Sequence, residues 1–343
     1  MANSKILLIY TGGTIGMITD PATGSLKPFD FEHILEYIPD LNQFDIQIDA
    51  ASFDTPVDSS DIGIPEWIKL VTIIERKYSE YDGFVILHGT DTMSFTGSAL
   101  SFMMQNINKP VILTGSQLPI GMIRTDGKEN LITSIEIAAD KFENGKPKVP
   151  EVCIYFENKL YRANRTFKYN AEYFDAFASP NYPPLAEAGI SITYNYKHIY
   201  YPQLDKLPAF FKKMDNHVAI LRLFPGINKD FVKQVFSTPA LKGVVLQTYG
   251  AGNAPSEAWF LDELKKAIDN RIIIYNVSQC RAGKVDMDRY HNGKILRDIG
   301  VVSGRDITPE AAVTKLMFLL GTGLGHREIK ELLEKNIAGE ISF

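Results

Sequence analysis

The sequence predicts a two-domain α/β fold, with a mostly parallel sheet in a larger N-terminal domain and a smaller α/β C-terminal domain. Three observations predict it. Short apolar runs recur along the 343 residues, helix-like stretches separate them, and most runs end in glycine or small polar residues. Continuous apolar runs suit strands covered on both faces, and intervening helices supply the crossovers that parallel strands need. At roughly 100–200 residues per domain, a chain of this length reads as two.

In chain order the expected strands are Lys5–Tyr10, Phe84–Leu87, Pro110–Leu113, Glu151–Phe156, Val218–Phe224, Gly243–Leu246 and Arg271–Val277. The expected helices begin with Ile64 to about Tyr78, opened by Pro65 at an early helical position. Ser94–Asn106, Asn130–Lys141, Asn228–Phe236, Glu257–Asn270 and Pro309–Leu320 follow. This alternation is the pattern of an α/β protein. Tyr194–His217, rich in tyrosine, proline and lysine, breaks the rhythm. It divides the chain into an N-terminal domain over 1–193, a linker over 194–216 and a C-terminal domain over 217–343. Asp20–Pro28, with two prolines and a glycine after the first loop, is a candidate lid.

Composition narrows the function. Hydrophobic content of 45% and charged content of 22% are ordinary for a globular protein. A net charge of −5 gives no basic footprint, so nucleic acid is not an expected partner. The two cysteines, Cys153 and Cys280, fit a reducing cytoplasm better than a disulfide scaffold. The first apolar run is too short for a secretory signal core, and no run approaches a membrane span. Histidines, cysteines and carboxylates do not cluster at ligand spacings, so no metal is expected.

The loops at the strand ends carry the chemistry. Thr11-Gly12-Gly13-Thr14-Ile15-Gly16 follows the first strand and reads as a nucleophile loop presenting the Thr14 hydroxyl, or as a simple strand-to-helix turn. It lacks both the dinucleotide fingerprint and the Gly-Lys-Ser/Thr of a phosphate loop. His88-Gly89-Thr90-Asp91-Thr92 follows another strand, where Asp91 can hold a substrate ammonium or position a lysine, or where Thr or Asp caps the next helix. Asp58-Ser59-Ser60-Asp61 reads as a cap or as a carboxylate site. In Thr114-Gly115-Ser116-Gln117, Gln117 can read an amide. The basic, aromatic stretch Lys159–Lys168 reads as a solvated connection. It also offers Lys168 as a lysine reaching toward Asp91. A threonine is a poor nucleophile without a neighbouring base, and a lysine serves as one when partial burial lowers its pKa.

Taken in order, Thr11–Gly16, Asp58–Asp61, His88–Met93, Thr114–Gln117 and Asn164–Lys168 resemble the bacterial-type L-asparaginases, and within them the cytoplasmic type I branch. The likeness continues through Phe174–Asn181, Tyr249–Pro255 and Ser278–Cys280 and covers nearly the whole chain. It implies hydrolysis of L-asparagine to L-aspartate and ammonia without a cofactor. Thr14 is then the nucleophile, Thr90, Asp91 and Lys168 the activating set, and backbone N–H groups near Thr14 and Thr90 the oxyanion site. Asp58, Ser59 and Ser60 hold the α-carboxylate end of the substrate, and Asp91 its ammonium. The resemblance also implies a homodimer or homotetramer with active sites at the dimer interface, where Asn253 and Tyr290 come from the partner subunit.

The chain departs from the family in two places that matter. Gly24-Ser25-Leu26 stands where many members carry a lid tyrosine, and Tyr290 is the expected replacement. Of the residues with which some type I enzymes bind a regulatory asparagine, Phe167 and Gln247 replace a threonine and an arginine, and Cys280 remains. An uncharged amide does not replace an arginine fork in holding a carboxylate, so activation by asparagine is expected to be weak or absent. Three other readings fit the chain less well. An archaeal amidotransferase subunit carries an extra domain before its threonine loop, which here starts at Thr11. Ankyrin-bearing relatives described as lysophospholipases carry repeats of about 33 residues, for which the chain ending at Phe343 shows none. A non-enzymatic amino-acid-binding protein would not need Thr14, Thr90, Asp91 and Lys168 together.

Overall fold

The structure, a computed structural model, describes residues 4–19, 26–28, 38–43, 45–203 and 205–342. Most of the expected lid, Gly24 and Ser25 included, lies outside the described residues. The chain divides into two compact units, Met1–Lys212 and Lys213–Phe343.

The first unit is built on an eight-stranded sheet. Its strands are β1 (Ser4–Tyr10), β2 (Ile46–Ser52), β3 (Gly83–Leu87), β4 (Val111–Thr114), β5 (Val152–Phe156), β6 (Lys159–Arg162), β7 (Ala186–Ala188) and β8 (Ile192–Tyr194). They lie in the order β8-β7-β6-β5-β4-β3-β1-β2. The five strands from β2 to β5 pair in parallel, and β6, β7 and β8 extend the sheet antiparallel. Helices α1 (Ile64–Lys77), α2 (Met93–Met103) and α3 (Gly127–Ala139) belong to the same unit. β1 from Ile6 onward and all of β3 are buried, as continuous apolar runs in a covered parallel sheet should be.

Register places the site. Tyr10 at the end of β1 pairs with Ser52 of β2 and Leu87 of β3, and Leu87 pairs with Thr114 of β4. Four strands therefore end side by side, and the four polar loops that follow leave the same edge of the sheet, where open α/β sheets bind ligands.

The second unit is a four-stranded parallel sheet, β9 (Val218–Arg222), β10 (Gly243–Thr248), β11 (Ile273–Ser278) and β12 (Val302–Ser303), with its strands in sequence order. Its helices are α4 (Lys229–Phe236), α5 (Ala258–Asp269), α6 (His291–Asp298), α7 (Pro309–Gly321) and α8 (His326–Leu333). Asn228 caps α4 by accepting from the N–H groups of Asp230 and Phe231, and Thr308 caps α7 by accepting from Ala311 N–H.

Lys159–Lys168 is not a solvated connection. Its first four residues form β6, and Arg162 and Arg165 are 5% and 1% exposed. The buried Glu151 carboxylate accepts from Arg162 Nε at 2.6 Å, and Tyr182 lies under both guanidinium groups. Pairing of this kind is what lets arginine enter a core. Six of these elements had no sequence expectation: β2, β7, β8, β12, α6 and α8. β2 is an edge strand of mixed character, and α6 and α8 are only eight residues each. Tyr194, expected to open the linker, ends β8, and Ala209–Phe210 pairs antiparallel with Met104–Gln105 in the first unit.

Candidate active site

The Thr11–Gly16 loop turns sharply back onto its neighbours. Thr11 uses its backbone N–H and its hydroxyl on the Leu87 carbonyl, at 3.1 and 2.9 Å. Phe53 and Val57 donate to the carbonyls of Tyr10 and Thr11, which ties down the segment leading to Asp58. Gly13 has φ +88°, and a Cβ there would lie 2.6 Å from the Gly89 backbone. Only glycine permits this contact, and it brings the first threonine loop against the second. Thr14, half-buried, opens the short 3-10 turn Thr14–Gly16 immediately after it.

In the second loop Thr90 is nearly buried and Asp91 exposed. Lys168 Nζ donates to Thr90 Oγ1 at 2.8 Å and to Asp91 Oδ1 at 2.6 Å. The Thr90 hydroxyl in turn donates to Gln117 Oε1 at 3.3 Å, and Gln117 Nε2 donates to the Tyr173 carbonyl. Lys168 reaches this point from a two-residue strand in which Phe167 and Lys168 pair with Ala178 and Phe177. Neither Thr90 nor Asp91 is a helix cap. Thr92 occupies that position at α2, and its hydroxyl donates to the Ser59 carbonyl at 2.5 Å.

Asp58 caps only its own 3-10 turn, accepting from the Ser60 N–H and hydroxyl at 2.8 and 2.7 Å. These two bonds favour the ionised carboxylate and hold Asp58 below the usual range. Ser59 is buried against Gly89, whereas Ser60 and Asp58 are exposed. Helix α1 is capped separately, by Glu66 accepting from the Gly63 N–H.

Other supporting residues gave no signal in the sequence. Asp126 accepts from the backbone N–H groups of Gln117 and Leu118, and Asn130 donates to the Gly115 carbonyl, so α3 grips the Gln117 loop. His88 is fully buried, and burial pushes its imidazole down to about 4, so the ring is neutral at physiological pH.

The remaining expected residues are placed as follows. Phe167 is buried in the first unit. Asn253, Gln247, Cys280 and Tyr290 belong to the second. Asn253 closes a tight turn with Tyr249 through paired backbone hydrogen bonds. Gln247 is buried on β10, and Cys280 is exposed just beyond β11. Tyr290 is 47% exposed, with the Arg289 guanidinium over its ring. Among the described residues no group of three or more His, Cys, Asp or Glu could hold a metal, and no helix is long and apolar enough to cross a membrane.

Residues 5–200 match the family described as Asparaginase, N-terminal, and residues 217–333 match the Glutaminase/Asparaginase C-terminal domain. The chain is 40% identical over 356 residues to L-asparaginase 1 of Escherichia coli K12, covering 100% of this chain and 99% of that protein. It is 41% identical to a mouse 60 kDa lysophospholipase, of which it spans 63%. The crystal structure of L-asparaginase I from Vibrio cholerae matches the whole chain with a TM-score of 0.91 at 38% identity. With both domains matched and full-length relatives at this identity, the chain belongs to the asparaginase family.

Proposed function

We propose that this chain hydrolyses the side-chain amide of L-asparagine, giving L-aspartate and ammonia, with Thr14 as the nucleophile. One observation carries the reading: Lys168 Nζ bridges Thr90 Oγ1 and Asp91 Oδ1 on a loop whose Gly89 backbone rests against Gly13, next to Thr14. An attacking hydroxyl and an activating base are both needed, because neutral threonine is a weak nucleophile.

In the proposed reaction Thr14 Oγ1 attacks the amide carbon and its proton passes to the Thr90–Lys168 pair. That proton then goes to the leaving nitrogen, so ammonia departs and an aspartyl ester remains on Thr14. Water attacks the ester, its proton follows the same route back to Thr14, and aspartate leaves. Backbone N–H groups of the two threonine loops face the developing oxyanion, a contribution of about 10²–10³ in rate per donor in comparable enzymes. Asp91 takes the substrate ammonium, while Asp58, Ser59 and Ser60 hold the α-carboxylate end. The relatives named L-asparaginase support this choice of substrate.

The working form is a homodimer or homotetramer, cytoplasmic, in which Asn253 and Tyr290 complete a site on the partner subunit. Phe167 and Gln247 carry no charge to fix a second asparagine, so activation by substrate is weak or absent. Ammonia release from L-asparagine by the purified protein, compared with Thr14→Ala, tests the assignment. Release that survives in Thr14→Ala removes Thr14 as nucleophile, and a sigmoidal rate curve at a fixed oligomeric state contradicts the lack of activation.

A further inference from the structure

We infer that His88 is a positioning residue for the Gly89–Thr90 peptide group, held in one tautomer and one orientation by a hydrogen-bond chain that begins at Trp67. The inference rests on the reading of the Thr90 loop as part of the active site.

The direction of every bond in the chain is forced. The Trp67 indole N–H can only donate, and it lies 3.0 Å from Thr96 Oγ1. The Thr96 hydroxyl accepts there and directs its own proton to His88 Nε2, 2.9 Å away. The other end forces that direction: Nδ1 lies 2.6 Å from the Gly89 carbonyl oxygen, which can only accept, so Nδ1 carries the proton of the neutral ring and the bare Nε2 accepts from Thr96. Trp67 is 6% exposed, and Thr96 and His88 are 0% exposed, so water offers no competing partner. Trp67 lies on α1 and Thr96 on α2, so the chain ties two helices to the loop.

A peptide group is planar and trans, so fixing the Gly89 carbonyl also fixes the Thr90 N–H on the opposite side of the same plane. Glycine at position 89 makes that clamp necessary. A Cβ there would lie 2.5 Å from Ser59 Oγ, so the close approach demands glycine, the residue with the softest backbone. Among the described residues the Thr90 N–H has no acceptor, which leaves this donor for a substrate oxygen. A donor aimed in advance stabilises a developing oxyanion at no reorganisation cost. His88 therefore acts through the peptide it holds and does not exchange protons with substrate.

The test combines a spectroscopic and a kinetic readout. In the wild-type protein, histidine 15N shifts are expected to show His88 with Nδ1 protonated and Nε2 bare; the opposite tautomer overturns the proposal whatever the activity. Thr96→Val, which removes the proton donated to Nε2, is expected to lower kcat for ammonia release by ~10-fold or more with KM for asparagine within ~3-fold. Thr96→Ser, which keeps the hydroxyl, is expected to recover kcat to within ~3-fold of wild type. His88→Asn, which keeps an N–H near the Gly89 carbonyl, is expected to retain more turnover than His88→Leu. Wild-type kcat in Thr96→Val, or a loss confined to KM, overturns the role. Thr90→Val separates the two levels. If that variant keeps full turnover, the loop is not catalytic; if it is inactive while Thr96→Val is normal, only the His88 role fails.

Discussion

Lys168 Nζ lies 2.8 Å from Thr90 Oγ1, although the two residues are 78 positions apart in sequence. The Lys168 side chain is 18% exposed, and its other partner, Asp91, is 66% exposed. The amine is thus sheltered while its carboxylate faces outward. Lys168→Met is expected to lower kcat by at least ~10²-fold, the scale of a lost acid–base group, with little change in melting temperature. Turnover within a few-fold of wild type would remove Lys168 from the mechanism. The check is ammonia release alongside a thermal melt.

Gly13 and Gly145 both have positive φ but differ in surroundings. A Cβ at Gly13 would strike the Gly89 backbone, whereas nothing lies within 4 Å of one at Gly145. Gly13→Ala is expected to separate the two threonine loops and abolish measurable turnover. Gly145→Ala carries only the backbone strain, about 1 kcal/mol or somewhat more, and is expected to keep full activity. Equal activity in the two variants would show that the Gly13–Gly89 contact is dispensable.

Lys315 and Glu340 meet at 2.6 Å with neither side chain exposed, which anchors the C-terminal segment beneath α7. Lys315 also donates to the carbonyls of Leu333 and Lys335, and Glu340 accepts from the N–H groups of Ile337 and Ala338. Glu340→Ala leaves an ammonium buried without its counter-charge and is expected to destabilise by about 3–5 kcal/mol. Lys315→Met combined with Glu340→Leu removes both charges and is expected to cost less than Glu340→Ala alone. Urea denaturation of the three proteins measures the difference, and the reverse order would disprove the account.

Asp215 makes part of the acid stability predictable. Partial burial opposes its ionisation, but hydrogen bonds from the Lys242 ammonium and from the His217 backbone and ring outweigh it and hold the carboxyl at about 2. Its folded pKa lies below the unfolded value of about 4, so its stabilisation is present above about pH 4 and lost as pH falls toward 2. Asp215→Asn is expected to lower the urea midpoint at neutral pH and to approach wild type near pH 2. Parallel pH curves for the two proteins would exclude this linkage.

The sequence determined what depends on local periodicity. The apolar runs that became β1, β3, β4, β5, β10 and β11 are legible because a covered parallel strand needs an unbroken apolar stretch. Helices α1, α4 and α5 are legible from a spaced apolar face, and α7 from Thr308 and Pro309 at its start. β2 was not, since an edge strand needs burial on only part of its surface. Lys159–Arg162 was misread because its arginine is neutralised by Glu151, a partner that no local pattern announces.

Tertiary structure alone decided which loops meet. The β1–β3–β4 register sets the Thr14, Thr90 and Gln117 loops side by side, and the Gly13–Gly89 contact closes the first two together. The same holds for Trp67, Thr96 and His88, spread over α1, α2 and the end of β3, where only packing lines donor against acceptor. Periodicity acts over a few residues and is written in the chain, whereas hydrogen-bond partners are chosen in three dimensions, where sequence separation carries no information.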